Sequence, residues 1–310
     1  MKKVNRRKFF STSLMAAAAV SVPVEFNALA KPQASEVAEN IKPGPMLTDT
    51  NVNLFAWPFR QLKYGNTQDL VEKLRSHRVS QAWAGSFESL FHKDIEGVNA
   101  RLTEECKAHG KGMLLPFGTV NLAWPDWQED LRRCHEVHAM KGIRIFPSYQ
   151  TFDLNHPDFP ALVSQVAKRG LVLQIVGDMD DSRNHHPIVL ARQFSMEPLV
   201  EVLKKEPGAK VQLLYWNHRV GNPLMDRMIK ETQIVFDTAR VESSGAVGRM
   251  IEGKPWNGSV LPVPQDRILF GSHAPFFPVE TGILKLMESP LTQDEAKAIM
   301  EDNAQKFLQA

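Results

Sequence analysis

The chain has 310 residues, of which 43% are hydrophobic and 23% are charged, and its formal net charge is +2 at pH 7. Residues 1–30 carry five Lys or Arg and one acid, so the other 280 residues hold 32 basic and 34 acidic residues, a net charge of −2. This balance argues against a nucleic-acid surface, and two cysteines are too few for a disulfide framework. Cys106 and Cys134 are expected either as buried thiols or as one bridge between helices.

The start of the chain has the pattern of an export signal. A basic segment contains the run Arg6-Arg7-Lys8-Phe9-Phe10, and residues 14–24 form an Ala-rich apolar stretch that is too short to span a bilayer. A small-residue cleavage pattern follows at residues 28–30. We therefore predict a twin-arginine signal peptide over residues 1–30, which would bind the twin-arginine export machinery and place the protein in the periplasm or outside the cell. The alternatives are an amphipathic first helix and an uncleaved membrane anchor.

Residues 31–46 contain Pro, Gly and polar side chains and are predicted to be a linker. Eight strand patterns follow, at residues 47–55, 79–86, 112–121, 142–147, 171–177, 210–217, 233–239 and 267–272. Helical patterns alternate with them, at residues 67–77, 94–110, 126–140, 159–170, 195–206, 223–232, 243–251 and 292–308. This alternation predicts an α/β fold, a single (β/α)8 TIM-type barrel over residues 47–310. A doubly wound open sheet is the competitor, but the first strand lacks the Gly-rich phosphate loop that such sheets usually carry.

Polar residues mark the carboxyl ends of the predicted strands, which is where barrel enzymes build their sites. The first strand contains Asn51 and Asn53, whose side chains point to the same side because they are two residues apart. His273 follows the eighth strand directly after Gly-Ser. We expect these three side chains at the mouth of the barrel.

The sequence resembles the amidohydrolase-related family of metal-dependent barrel hydrolases, a branch that includes decarboxylases and lactonases of carboxylated substrates. The resemblance spans residues 47–310. It lies in the polar pair of strand one, the strand Gly-Ile-Arg-Ile-Phe-Pro (142–147), Phe-Asp-Thr (236–238), Arg-Ile-Leu-Phe-Gly-Ser (267–272) followed by Pro-Phe, and the closing Asn-Ala-Gln-Lys-Phe-Leu (303–308). It implies a TIM-type barrel and the hydrolysis or decarboxylation of a small carboxylated or carbonyl substrate.

The resemblance also implies a metal held by His-x-His on strand one, a His at the end of strand five and an Asp at the end of strand eight. This chain has Asn51 and Asn53 at the first pair, Val176 or Gly177 at the second position and His273 at the third. An amide oxygen is a weak ligand for zinc, so we predict a degenerate metal site. Two alternatives stay open: one divalent metal, zinc or manganese, on His273, Asp178 and His185, or no metal.

The remaining site residues are assigned from their places near strand ends. We predict His273 as a catalytic acid–base group, with Asn51 and Asn53 orienting the substrate or a weakly held metal. Arg144 is predicted either to clamp a substrate carboxylate or to pair with Asp237 inside the barrel. The predicted substrate-binding residues are Arg144, Arg60, Trp57, His92, Tyr149 and Asp237.

Two functions are compatible with these residues. The first is an exported hydrolase or decarboxylase of a small-molecule substrate. The second is a metal-free barrel that binds a small ligand without turnover, because Asn, Trp and Arg side chains serve binding as well as catalysis. The sequence leaves the substrate and homo-oligomer formation open.

Overall fold

The computed structural model describes residues 46–181, 183, 185–186, 188–189, 191–215, 223–253 and 261–310. The predicted signal peptide, and all of the predicted linker except Met46, lie outside the described residues. Within the described part of the chain, no helix combines the length and apolar character needed to cross a membrane.

Eight parallel strands form one sheet in the order of the sequence, from β1 to β8. Their bounds are β1 Leu47–Leu54, β2 Val79–Ser86, β3 Leu114–Gly118, β4 Gly142–Ile145, β5 Val172–Val176, β6 Lys210–Leu214, β7 Val235–Asp237 and β8 Ile268–Leu269. Backbone hydrogen bonds join β1 to the segment that follows β8, from His273 N to Asn51 O at 2.9 Å and from Asn53 N to Ala274 O at 2.9 Å. The predicted TIM-type barrel is therefore confirmed.

Helices alternate with the strands along the chain, and three α-helices follow β8. They are α1 Thr67–Ser76, α2 Ile95–His109, α3 Trp127–Glu136, α4 Phe159–Lys168, α5 Glu197–Lys205, α6 Pro223–Glu231, α7 Ala246–Glu252, α8 Val279–Met287, α9 Gln293–Lys297 and α10 Asn303–Gln309. Several begin at a capping side chain, as when Asn66 Oδ1 accepts the Asp69 N–H at 2.8 Å before α1. A capping box of Thr292 and Glu295 opens α9.

Two predicted elements differ from the structure. Helix α8 was missed because its sequence is apolar on most faces and follows Pro278, which hides the helical period. The predicted helix over residues 292–308 consists of α9, a π-helical turn at Ala298–Asp302 and α10. The predicted strands mostly end too late, because their last residues belong to the loops that carry the site.

The interior of the barrel has a polar layer between two apolar clusters. Successive inward positions of β5 illustrate this, because Val172 belongs to the lower cluster, Gln174 is polar and Val176 belongs to the upper cluster. Gln174 Nε2 donates to Thr50 O at 2.9 Å and to Gln212 Oε1 at 2.8 Å. These glutamines are fully buried, so their hydrogen bonds are what makes a polar layer tolerable there.

Both cysteines are free thiols in the structure. Cys106 on α2 and Cys134 on α3 are buried, and burial raises the pKa of the Cys106 thiol to about 12. A thiol that stays protonated is a poor nucleophile and packs as a small apolar side chain.

Candidate functional site

The two asparagines of strand β1 meet at the hydroxyl group of Tyr215. Asn51 and Asn53 are completely buried, and Tyr215 is the first residue after β6. The Tyr215 hydroxyl donates to Asn51 Oδ1 at 2.6 Å and accepts a hydrogen bond from Asn53 Nδ2 at 3.1 Å. One hydroxyl therefore bridges the pair that the sequence predicted as substrate-orienting or metal-binding.

The hydrogen bonds continue from this bridge to a charged group at each end. Arg144 Nη1 donates to Asn53 Oδ1 at 2.8 Å, and Asn51 Nδ2 donates to Asp237 Oδ2 at 2.6 Å. We call this series of five hydrogen-bonded side chains, Arg144–Asn53–Tyr215–Asn51–Asp237, the central chain. Its direction is uniform, because a guanidinium only donates, an ionised carboxylate only accepts, and each residue between them does both.

Arg144 is held by neutral acceptors rather than by a carboxylate. Besides Asn53, it donates to Gln174 Oε1 at 2.8 Å, to Val52 O at 2.9 Å and to Trp83 O at 3.1 Å. The predicted direct pair with Asp237 is wrong, because the other three members of the central chain lie between them. Burial lowers the pKa of Arg144 to about 10, so the guanidinium remains charged at neutral pH. Its side chain is fully buried among protein acceptors, which gives the predicted clamping of a substrate carboxylate no support.

The barrel interior also contains two buried carboxyl groups with shifted pKa values. Burial raises the pKa of Asp237 and of Asp49 from 3.8 to about 6, although both accept hydrogen bonds that oppose the shift. Asp49 accepts from the Asn51 N–H at 3.1 Å and the Ser272 N–H at 3.0 Å. Asp237 accepts from the Tyr215 N–H at 2.9 Å, and the positive charges of Lys285 and Arg144 favour its ionised form.

These two carboxyl groups predict a pH dependence of stability. Because the folded state holds their protons more tightly than the unfolded chain does, the stabilisation from protonation is full below about pH 4 and is lost as pH rises through about 6. Each group contributes on the order of 2–3 kcal/mol to this change.

We expect urea denaturation between pH 4 and 7 to show a flatter pH dependence of the unfolding free energy for Asp49→Asn than for the wild type. The buried His273 acts in the opposite sense, but both proteins carry it, so its effect cancels. An unchanged pH slope in the variant would contradict the raised pKa of Asp49.

His273 lies four residues beyond the end of strand β8 and is completely buried. Its backbone has φ = 62°, a left-handed conformation that is uncommon outside glycine, and Tyr215 shares it with φ = 58°. The ring lies against Tyr215 with centroids 4.2 Å apart and stacks on Phe276 at 4.6 Å. Burial lowers the pKa of His273 well below its usual value, so the ring is neutral.

The hydrogen bonds of His273 indicate its tautomer. Nε2 lies 3.2 Å from Met179 O, and a carbonyl only accepts, so Nε2 carries the proton. Nδ1 is then an acceptor, and it is buried without a hydrogen-bond partner among the described residues. The predicted acid–base role of His273 stays a prediction, with Nδ1 as the atom that would take a proton.

A cavity of about 230 Å³ opens at the carboxyl ends of the strands. It is lined by Trp57, Phe59, Arg60, Tyr149, Asp180, His185, His186 and Val189. Trp57 packs edge-on against Phe276 with ring centroids 5.3 Å apart, and Phe276 stacks on His273. An aromatic layer therefore separates His273 from the cavity.

Arg60 is the cationic side chain of the cavity wall. Its guanidinium carbon lies 4.3 Å from the centre of the Phe276 ring, and Nη2 donates to Phe276 O at 3.3 Å. A guanidinium has five N–H donors, so others remain for an anion in the cavity. Tyr149 also lines the wall, and burial raises the pKa of its hydroxyl well above the usual range.

Several decarboxylases are among the solved structures that are similar to this chain. A 5-carboxyvanillate decarboxylase from Sphingomonas paucimobilis matches with a TM-score of 0.64 and 12% identity over 86% of this chain and 99% of that chain. A 2,6-dihydroxybenzoate decarboxylase from Rhizobium matches with a TM-score of 0.61 and 16% identity over 86% and 99%. A 5-carboxyvanillate decarboxylase from Novosphingobium aromaticivorans with bound manganese matches with a TM-score of 0.64 and 13% identity over 86% and 98%. The chain shares their barrel fold. Neither a protein-family profile nor a curated protein sequence matches it.

The residues at the family's metal position do not fit a divalent metal. Each asparagine directs Nδ2, which is no metal ligand, into the central chain, and each Oδ1 already accepts a hydrogen bond. The imidazole, thiolate or carboxylate ligands that zinc prefers are missing from the pair itself. Asp237 is engaged by Asn51 and by the Tyr215 N–H.

The alternative metal ligands are not brought together either. The Asp178 side chain is exposed, and the Met179 carbonyl, not that carboxylate, contacts His273. His185 is half-buried in the cavity wall, above the aromatic layer. Among the described residues, no group of three His, Cys, Asp or Glu is arranged to hold a metal ion. The predicted set of His273, Asp178 and His185 is therefore not a metal site in this structure.

The structure separates the predicted residues into two sites. Trp57, Arg60 and Tyr149 line the cavity, together with His185, which was predicted as a ligand. His92, which follows a 3₁₀ turn at Phe87–Leu90, is exposed and is not among the residues that line the cavity. Asn217 and His218, which follow strand β6 in the sequence, lie outside the described residues.

Sequence reasoning missed Gln174 and Gln212 in the polar layer. Asp180 and His186, which follow strand five, were considered but not assigned to the site, and they lie in the cavity wall. The two glutamines had a detectable signal. Each interrupts an apolar strand run, and a buried strand glutamine needs a hydrogen-bond partner.

Proposed function

We propose that the chain is an enzyme of the amidohydrolase-related kind that decarboxylates or hydrolyses a small carboxylated substrate. The observation that carries this proposal is the cavity at the carboxyl ends of the strands, because it combines an arginine, aromatic walls and ionisable side chains. Barrel enzymes place their sites at this end. The resemblance of the sequence and the enzymes among the structural neighbours support the same kind of activity.

The cavity residues have distinct roles in this proposal. Arg60 binds the substrate carboxylate through its free N–H groups, and Trp57 and Phe59 supply apolar surface for the rest of the molecule. His185 has a buried Nε2 without a hydrogen-bond partner among the residues that the structure describes, and Asp180 lines the same wall. Imidazole and carboxylate are the usual general acid–base groups. In decarboxylation, the acid delivers the proton that replaces carbon dioxide on the substrate carbon. In hydrolysis, the base takes a proton from the attacking water.

A second function is favoured by a different observation. His273, Asn51 and Asn53 are completely buried, and an aromatic layer separates His273 from the cavity. If turnover depends on these three residues, this arrangement supports a barrel that binds a small ligand without converting it. The same mature protein tests both functions.

Replacing Arg60 by methionine tests the binding role. We expect the affinity for the best ligand from a panel of aromatic and aliphatic monocarboxylates to fall by about 10- to 100-fold, because a hydrogen bond to a charged group contributes about 1.5–3 kcal/mol. Isothermal titration calorimetry measures the affinity. Arg75→Met is the matched control, since Arg75 is exposed on α1 outside the cavity and should leave binding unchanged.

The product search separates the outcomes. Carbon dioxide release or a hydrolysis product from a bound monocarboxylate would support the enzyme. Binding that needs Arg60 without any product would support the ligand-binding barrel. If Arg60→Met and Arg75→Met bind equally well, the cavity is not the substrate site and the proposal fails.

We also propose that the protein is exported by the twin-arginine pathway, on the basis of Arg6-Arg7-Lys8-Phe9-Phe10. Cell fractionation tests this. Replacing Arg6 and Arg7 by lysine should retain the protein in the cytoplasm, and periplasmic protein in the double variant would refute the pathway.

A further inference from the structure

Tyr215 connects three strands of the barrel through two of its polar groups. Its hydroxyl contacts the asparagines of β1, and its backbone N–H donates to Asp237 Oδ1 on β7 at 2.9 Å. The residue itself follows β6 and adopts a left-handed conformation, which turns the side chain back into the barrel. Tyr215 is only 1% exposed, and burial raises the pKa of the hydroxyl, so it remains protonated.

The surroundings of the central chain are shaped to hold Arg144. Gly85 on β2 leaves the space for the guanidinium, since a Cβ atom there would lie 2.5 Å from Arg144 Nη1. Gln174 is oriented as an acceptor for Arg144 Nε by its own donation to Thr50 O. The core is therefore built around a fixed cation close to the asparagine pair.

A divalent metal ion bound by the asparagine pair would meet this cation. Asn53 Oδ1 accepts from Arg144 Nη1 at 2.8 Å, so a metal on the same oxygen would lie close to a buried positive charge. Like charges repel strongly in a site from which water is excluded. The pair also lacks the anionic or imidazole ligands that would offset the repulsion.

We propose that the Tyr215 hydroxyl takes the place of a metal ion between Asn51 and Asn53, and that the protein folds and remains stable without any divalent metal. A metal ion in a barrel links ligands from different strands by coordination bonds. Here the same linkage is made by hydrogen bonds that end at Arg144 and Asp237. This inference concerns folding and metal content, so it stands independently of whether the cavity turns over a substrate.

The first experiment uses the wild-type mature protein, produced with zinc, manganese and iron in the medium. After dialysis against excess EDTA, elemental analysis should find less than about 0.1 metal ion per chain, because the structure offers no tight ligand set at this position. The melting temperature should be the same before EDTA, after EDTA, and after zinc or manganese is added back. One metal per chain that survives dialysis, or a lower melting temperature after EDTA, would overturn the proposal.

The second experiment removes the bridging hydroxyl. Tyr215→Phe should lower the melting temperature by about 3–6 °C, since both asparagines lose a hydrogen bond in the buried core. This decrease in melting temperature should be the same with and without EDTA. Tyr64→Phe is the matched control, because Tyr64 is only half-buried at the surface, and it should melt within about 1 °C of the wild type. Equal melting temperatures for Tyr215→Phe and Tyr64→Phe would show that the hydroxyl makes no such link. If Tyr215→Phe does not fold, the EDTA series on the wild type still decides the question.

Discussion

Asn51→Asp is expected to destabilise the barrel by about 3–5 kcal/mol at pH 7.5, because it places an uncompensated charge in the core. Asn51 Nδ2 donates to Asp237 Oδ2 at 2.6 Å, so the substitution would bring two carboxylates together in a fully buried place. Acidification should restore part of the loss, since one shared proton removes the repulsion. Urea denaturation at pH 5 and pH 7.5 measures both effects.

Asn53→Asp is the matched control, with the same change of atoms two residues further along β1. Its new carboxylate would face Arg144 Nη1, which already donates to Asn53 Oδ1, so an attractive pair replaces a neutral contact. It also loses the donation to the Tyr215 hydroxyl. We expect a net change within about 1–2 kcal/mol. If Asn51→Asp and Asn53→Asp changed the free energy of unfolding equally at pH 7.5, the hydrogen-bond direction of the central chain would be assigned incorrectly.

The second large effect is expected for Arg144→Met. The substitution puts an unbranched apolar side chain in place of the arginine. It leaves four buried acceptors without the guanidinium donor, namely Gln174 Oε1, Asn53 Oδ1 and the Val52 and Trp83 carbonyls. Each unsatisfied buried group costs about 1–3 kcal/mol, and partial rearrangement should limit the total to about 3–5 kcal/mol. Chemical denaturation of the protein measures this loss.

Arg132→Met provides the comparison for a surface arginine. Arg132 is paired with Glu129 at 2.7 Å and with Glu136 at 2.6 Å, and the three side chains are 41%, 53% and 50% exposed. Surface ion pairs contribute about 0–1 kcal/mol, so this variant should stay near wild-type stability. If Arg144→Met lost no more stability than Arg132→Met, the core would rearrange freely around the methionine side chain.

The order of strands and helices followed from the sequence because hydrophobic periodicity acts locally. The bounds of β2 were predicted correctly at residues 79–86, and α1 differs from its prediction by one residue. Apolar strand runs and capped amphipathic helices carry this information in their own residues. Helix α8 has few polar residues and was missed.

The candidate site was predictable only in its general position. Trp57, Arg60 and Tyr149 follow strand ends in the sequence and line the cavity, since all parallel strands of a barrel end on the same face. Their predicted substrate-binding role stays a prediction. The strand-end rule could not predict that His273 would be buried below an aromatic layer. Burial depends on Trp57 and Phe276, which are more than 200 residues apart in sequence.

The sequence by itself determined the eight-fold alternation, the barrel and the unusual asparagine pair, because these properties reside in residue types and their spacing. Only the tertiary structure decided what the pair contacts. The bridging hydroxyl comes from the residue that follows β6, the carboxylate from β7 and the guanidinium from β4, so the central chain exists only after the barrel has closed. Hydrogen-bond direction, burial and pKa shifts depend on these distant partners, which no local pattern in the sequence specifies.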